Sequence, residues 1–395
     1  MSKIFKALCL ASLSLTLFIA TESLTAAEEK RNDKSDKYLI NFKQTPDLKL
    51  LEETQGVSDI DAYSEISVVS ANLTPEALKS LTNNTLIETI EIDATISIIP
   101  FQSISSNTLL SDAETTAEQM IPWGVADIGA DKAHMQGITG KGVKIGILDS
   151  GIDYKHKDLR ISGGISFVDG KSDYMDDNGH GTFVTGIIAS LNNNYGLIGV
   201  APDADIYAIK VVNFLGNGSY SSLIKGIEWA VKQDLDVINI SLEGTEESKA
   251  LRKAVDHAIK NGTMVVASSG NSGYNSKGNV AYPAAYEKAF AVGATDQEHQ
   301  LASFSNVGKQ LDIVAPGQDI ISIFADDYVT SGGTSMATAH VTGSIALMRS
   351  MFPEMKDKEI EKYVEKSALR LGDTFKYGRG LIQVDKALEL ASRHK

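Results

Sequence analysis

VKIGILDSGID, residues 143–153, is the stretch on which the fold turns. Its apolar part, 143–148, is short and rich in Val and Ile, as a strand buried on both faces of a parallel sheet must be. The run ends in Asp149, and a carboxylate at the carboxyl end of such a strand lies where open α/β sheets place their sites. Taken alone, an ordinary turn aspartate before Gly151 would look the same. Working outward, further strands read at 206–212, 235–240, 263–268 and 289–293, with helical stretches between most of them. Alternating strands and helices predict an α/β fold built on a mainly parallel sheet with helices on both faces.

Two other motifs supply what a carboxylate at that position can use. NGHGT, residues 178–182, is centred on His180, and the segment HGTFVTGIIASL that it opens has helical apolar spacing, so the imidazole belongs at a helix start. GGTSMATAH, residues 332–340, places Ser335 at the start of another helix, with Thr334 as a candidate cap and small residues that admit a substrate backbone. Each motif alone has a bland reading, a packing histidine or an N-terminal helix serine. Together they offer an acid, a base and a hydroxyl. A serine hydroxyl is a weak nucleophile until an imidazole takes its proton, and the imidazole needs a buried carboxylate to fix its tautomer.

The order Asp149, His180, Ser335, with small residues around each, resembles the subtilisin family of serine peptidases, the subtilases, from about Gln119 nearly to the carboxyl end. Subtilisin is itself the reference case for that order. The resemblance assigns Asn271, in TMVVASSGNSG at 263–273, as a side-chain donor to the oxyanion, with the backbone N–H of Ser335 as its partner. Loss of that asparagine in the reference enzyme costs about 10²- to 10³-fold in rate, a value carried over here as an expectation.

The resemblance also implies bound calcium at LNNNYGLIGVAP, residues 191–202, with side chains of Gln119, Asp158 and Asn193 and the carbonyls of Leu191, Tyr195 and Leu197 as ligands. Such mixed oxygen donors suit a hard cation with six to eight ligands. An unmetallated Asn-rich turn is the alternative. Substrate would lie extended between Leu215, Gly216, Asn217 and Gly218 on one side and Ser241, Leu242, Glu243 and Gly244 on the other, adding as a strand. Glu243 stands where relatives usually have glycine. Beside the first pocket its carboxylate would favour a basic residue before the cut bond; pointing to solvent it would select nothing. Ala281 also replaces a common glycine at the pocket floor, Phe183 a second histidine and Ala339 a proline. Met336, next to the nucleophile, is open to oxidation, although its first role is packing.

The chain has 395 residues, 43% of them hydrophobic, enough for a large globular domain and a smaller one. Residues 1–27 read as a secretory signal: Lys3 and Lys6, then ALCLASLSLTLFIA, then small residues to Ala27. The single cysteine, Cys9, falls inside that signal, so the exported chain would carry no disulfide and would look to metal for rigidity. Net charge of −14 disfavours nucleic acid and anionic membranes as partners. The remaining partners are a peptide or protein substrate and the chain's own leader as inhibitor; a monomer is expected, secreted from a Gram-positive bacterium.

Residues 28–117 resemble the α+β propeptide of secreted subtilases. After the charged stretch 28–36, expected to be disordered, KYLINFKQ (37–44) alternates like a strand, AYSEISVVSANL reads as strand, TPEALKSLTNN as a helix capped by Thr74, and TLIETIEIDATISIIP as strand again. The polar stretch 103–119 would be an accessible connection, with cleavage expected between about 110 and 118 and the peptidase domain at 118–395. Two rival functions stand beside a self-processing endopeptidase: a dedicated peptidase that removes leaders from secreted peptides, and a catalytically silent binding protein on the same fold.

Overall fold

The computed structural model describes residues 35–98, 105–106 and 119–394. The signal segment and the cleavage window at 110–118 lie outside them. The chain divides after Asp93 into two compact units.

The first unit is an antiparallel sheet with two helices: β1 Asp36–Phe42, α1 Leu48–Glu53, β2 Val57–Tyr63, β3 Val68–Leu73, α2 Pro75–Thr82 and β4 Ile87–Ile92, in the sheet order β2-β3-β1-β4. Its core is Ile40, Phe42, Leu51, Val69, Ala71, Leu73, Ala77, Leu81 and Ile87. Helix α2 starts as read, the Thr74 hydroxyl accepting from Ala77 N at 3.3 Å with Pro75 in the first turn. The span read as one strand from Ala62 is instead broken by a 3₁₀ turn, Ser64–Ile66, closed by Ser67 at φ 56°.

The second unit holds β5 Thr95–Ser97, β6 Ser105–Ser106, α3 Trp123–Asp127, α4 Ala130–Met135, β7 Lys144–Asp149, β8 Ile161–Ser166, α5 His180–Ala189, β9 Asp205–Lys210, β10 Asn217–Ser219, α6 Tyr220–Lys232, β11 Val237–Ile240, α7 Lys249–Lys260, β12 Met264–Ser268, β13 Phe290–Thr295, β14 Ile313–Pro316, β15 Ile320–Phe324, β16 Asp327–Ser331, α8 Thr334–Met351, α9 Asp357–Ser367, α10 Thr374–Tyr377 and α11 Val384–Ser392. Seven strands form one parallel sheet, β14-β13-β12-β11-β7-β9-β8. The strands expected from sequence are all in it, within one or two residues of their read bounds.

Pleating sorts β7 onto two faces. Ile145 and Ile147 join the core that also holds Val184 and Ile188 of α5 and Val341 and Ile345 of α8. On the other face Gly146 approaches Leu235 and Ile238, and Leu148 meets Gly226 of α6. The sheet is therefore covered on both sides, as all-parallel sheets require. Strand β7, next to the central strand β11, ends at Asp149 against the start of α5, which carries the histidine, and the serine lies in the first turn of α8.

Candidate active site

Asp149, His180 and Ser335 are 0%, 1% and 5% exposed, so each of the three groups is largely withdrawn from bulk water. The two carboxylate oxygens of Asp149 lie 2.9 and 3.0 Å from His180 Nδ1, and Oδ1 also accepts from Ser150 N at 2.7 Å. A carboxylate on Nδ1 fixes the proton there and leaves Nε2 as the basic nitrogen. Ser335, the second residue of α8, directs its hydroxyl to Ser241 O at 3.3 Å, and the Ser241 hydroxyl bonds Ser335 O at 3.2 Å.

Tight turns bring these groups together. A Cβ on Gly181 would sit 2.1 Å from Gly151 O, so only glycine lets the first turn of α5 lie against the Asp149 loop. Gly181 N donates to the Ser150 hydroxyl at 3.0 Å, and that hydroxyl donates to Asp176 Oδ1 at 2.9 Å. Asp176 also receives Gly179 N at 2.8 Å and both the N–H and hydroxyl of Thr182, at 2.9 and 2.6 Å. Asp176, Ser150 and Asn178, which accepts from His180 N at 3.2 Å, thus share the open donors at the start of α5.

Sequence reasoning missed this network. It also missed Lys210, fully buried at the end of β9, whose ammonium bonds Ser150 O and, at 2.6 Å, Asp177 Oδ1. A buried cation bonded to the backbone next to Asp149 pins that turn. The signal was a lysine closing an otherwise apolar strand, DIYAIK.

Asn271 is held by its oxygen. Thr334 donates its N–H and its hydroxyl to Asn271 Oδ1, each at 2.8 Å, so the amide can present only its NH₂ on the opposite side. Thr334 is therefore not the cap of α8, as the sequence had implied. The cap position is Gly333 with no side-chain bond, and Thr334 instead orients the asparagine. A Cβ on Gly333 would lie 3.3 Å from Asn271 Nδ2 and 3.8 Å from Ser335 N. The bare α-carbon of Gly333 thus leaves open a space flanked by both donors, suited to a developing oxyanion.

The expected groove holds a strand of the chain itself. Strand β5 pairs antiparallel with β10, Ile96 opposite Gly218 and Ser97 opposite Asn217. Ile98 N donates to Gly216 O at 2.8 Å, and on the other edge Ser97 and Glu243 exchange both backbone bonds at 3.0 Å. Gly216, Asn217, Gly218 and Glu243 are thus brought together as read. Leu215 is exposed at the rim, its N–H bonded to Asn213 Oδ1. Leu242 is buried, and Gly244 pairs with Tyr282 one residue past half-buried Ala281, which bonds back to Ser269.

The Glu243 carboxylate turns neither to solvent nor to a cation. Half-buried, it accepts from Asn271 N at 3.2 Å and packs on Gly270, where a Cβ would meet its Oε2 at 2.7 Å. Burial pushes its carboxyl up, with the Asn271 N–H pulling the other way. His340, on the nucleophile's helix, is no rival base: burial pushes it down to about 4. Phe183, Ala339 and Met336 are all core residues, at 0%, 0% and 1% exposure, which supports a packing role for the methionine.

The predicted cation ligands also converge. The Gln119 side-chain nitrogen lies within bonding distance of three carbonyls, those of Leu191, Tyr195 (3.0 Å) and Leu197 (2.6 Å). An amide NH₂ has two protons and cannot serve three acceptors, whereas a cation can. Buried Asp158, raised to about 6 by burial, bonds Tyr328, Asn193 and Leu197 N at the same cradle. Among the described residues no three His, Cys, Asp or Glu side chains gather at one point, so any hard cation here would rest on amide and carbonyl oxygens with one carboxylate.

Comparison with known proteins gives one consistent result. The family model described as "Subtilase family" matches residues 140–380. The chain is 41% identical to the M-protease of Shouchella clausii (strain KSM-K16), over 95% of this chain and 97% of that one. It is 38% identical to the thermostable alkaline protease of Halalkalibacterium halodurans, over 98% and 100%, and 38% identical to subtilisin E of Bacillus subtilis (strain 168), over 96% and 97%.

Proposed function

Starting from the chain's membership of the subtilase family, and so from a serine endopeptidase, we propose that Ser335 is the nucleophile, His180 the general base, Asp149 the group that orients it, and Asn271 with the Ser335 N–H the oxyanion donors. The observation that carries this reading is the Asp149 carboxylate with both oxygens within 3.0 Å of His180 Nδ1. Ser335 Oγ attacks the peptide carbonyl as its proton passes to His180 Nε2, and the imidazolium so formed is stabilised by Asp149. His180 then protonates the leaving amine as the acyl-enzyme forms, and returns as base to activate the water that releases it. The charge on the carbonyl oxygen develops in the space beside Gly333, where both donors are already fixed and pay no reorganisation.

The chain is made as a secreted zymogen in this reading. Residues 1–27 direct export, the leader 28–117 folds with its own core and is removed by cleavage in the polar stretch before 118, and β5 fills the substrate groove until then. No helix among the described residues is long and apolar enough to cross a membrane. Calcium is the cofactor that the oxygen cradle fits: Gln119, Asp158 and Asn193 side chains with the Leu191, Tyr195 and Leu197 carbonyls would hold it. When bound it supplies a cross-link between the amino end of the peptidase domain and the 191–197 loop, which a chain without disulfides otherwise lacks.

Intact-mass measurement of secreted wild type and Ser335→Ala, expressed side by side with calcium, tests the reading. The wild type is expected to lose everything before about residue 118 and the variant to keep it covalently attached. Identical trimming of both proteins would show that processing is done in trans, and failure of a fluorophosphonate to label Ser335 in trimmed wild type would refute the assignment of the nucleophile.

A further inference from the structure

We propose that Glu243 is a positioning residue that ties the substrate groove to the oxyanion turn, so that occupancy of the groove improves the chemical step and not only binding. The inference rests on the roles proposed above for the groove and for Asn271. It begins from the two ends of one residue. The Glu243 backbone forms the groove edge, exchanging two 3.0 Å bonds with Ser97 of the strand lodged there. Its side chain reaches the other way and accepts from Asn271 N at 3.2 Å. An extended chain that docks on the first end therefore orders the residue whose second end holds the backbone of the oxyanion donor.

The oxyanion turn is pinned on both sides of Asn271, with Ser272 N on Asn306 Oδ1 at 2.8 Å and Gly273 N on Phe304 O at 2.7 Å, and the Glu243 carboxylate adds the acceptor at Asn271 itself. Thr334 fixes the Asn271 amide through Oδ1, and Gly270 is held by its N–H on Thr334 Oγ1 (3.3 Å) and its carbonyl on Asn306 N (3.0 Å). The Asn271 N–H itself is held by Glu243. Glycine at position 243 would leave that N–H without the carboxylate and leave the groove edge with no side-chain link to the turn. Binding energy gained along the groove becomes rate only when it is used to align groups that act in the transition state. A carboxylate bridging the two sites is a physical route for that conversion.

The direction of the side chain also decides against the other role open to an acid here. A carboxylate committed to Asn271 N and packed on Gly270 is turned toward the turn rather than offered as a counter-charge to a basic side chain.

The test compares kcat and KM of matured wild type, Glu243→Gln, Glu243→Ala, Asn271→Ala and the double variant Glu243→Ala/Asn271→Ala on a tetrapeptide amide and on a single-residue amide sharing the same residue before the cut bond. Active sites are counted by fluorophosphonate titration, so that loss of folded protein is not read as loss of rate. Expected is an about tenfold fall in the kcat advantage of the tetrapeptide in Glu243→Ala, with KM within about twofold, near-full recovery in Glu243→Gln, which keeps an acceptor, and no further loss when Glu243→Ala is added to Asn271→Ala. An unchanged kcat advantage, a fall that simply adds to that of Asn271→Ala, or an effect confined to KM for substrates with Lys before the cut bond would each overturn the proposal. If Asn271→Ala itself leaves kcat unchanged, the oxyanion assignment fails, and the proposal with it.

Discussion

Gly181 is where the geometry makes its sharpest demand. Substituting alanine places a Cβ 2.1 Å from Gly151 O and 3.2 Å from Asp149 Cβ. The first contact falls short of ordinary van der Waals distance by more than about 1 Å, and it is to a backbone atom that cannot swing away. The start of α5 and the Asp149 loop must therefore separate by roughly that amount. The Asp149–His180 bonds, at 2.9 and 3.0 Å, would stretch toward 4 Å, beyond hydrogen-bond length, and the imidazole would lose the partner that fixes its tautomer. A misplacement on the order of 1 Å costs about 10²-fold in rate. Gly181→Ala, freed of its leader in trans, is expected to lose about 10²-fold or more in kcat on a tetrapeptide amide, with KM within about threefold because Gly216–Gly218 and Ser241–Gly244 lie on other segments. Overpacking should also lower stability by about 1–3 kcal/mol, visible as a lower Tm. A folded Gly181→Ala protein with kcat within about threefold of wild type would show that the loop yields without disturbing the triad, and the close-approach argument would be wrong.

Two further outcomes follow from groups away from the nucleophile. Asp312 is pushed up to about 7, chiefly by burial, despite a 2.7 Å bond from Ala291 N; because its native pKa lies above the unfolded value of about 4, the native state holds the extra proton and stability falls as pH rises from about 4 to 7. Asp312→Asn, which keeps the acceptor, should gain stability of up to a few kcal/mol above pH 7 and little at pH 4, and parallel Tm-against-pH curves for the two proteins would contradict this. At the oxygen cradle, chelation should lower the Tm of matured wild type by several degrees in proportion to RT ln(1 + [Ca²⁺]/Kd) and leave Asn193→Ala unmoved; a wild-type Tm indifferent to chelator would remove the site.

What could be read in the sequence was what depends on neighbours along the chain. VKIGIL announces a buried strand by composition, and Asp149, His180 and Ser335 each sit at the end of an element whose period is local. The structure joins Asp149 to His180 and sets Ser335 in the first turn of α8, bonded to Ser241 O. What could not be read depends on partners distant in sequence. TLIETIEIDATISIIP looks like one strand, yet Ile87–Ile92 belongs to the first unit and Thr95–Ser97 to the second, because β4 pairs with β1 while β5 pairs with β10 some 120 residues on. ISGGIS is not among the strands read from sequence, yet it is edge strand β8: Gly164 packs so close to Ala208 O that a Cβ would lie 2.6 Å away. A strand tolerates glycine where another backbone must approach that closely.

The same division explains the site. Thr334 reads as a cap because threonine before a helix usually is one, yet its hydroxyl finds Asn271 Oδ1 at 2.8 Å instead of a backbone donor in its own first turn. A capping hydroxyl serves the helix, whereas this one serves a residue 63 positions earlier, and by consuming the amide oxygen it determines which end of Asn271 faces the oxyanion space. Glu243 shows the stronger form of the point. Its residue type announced a charge beside a pocket, and type alone left two readings open, selection of a basic residue or a carboxylate pointing to solvent. Its direction, onto Asn271 N, was set by the bare Gly270 it packs against, and a side chain's direction rather than its charge decides whether it recognises a substrate or holds the machinery that acts on one.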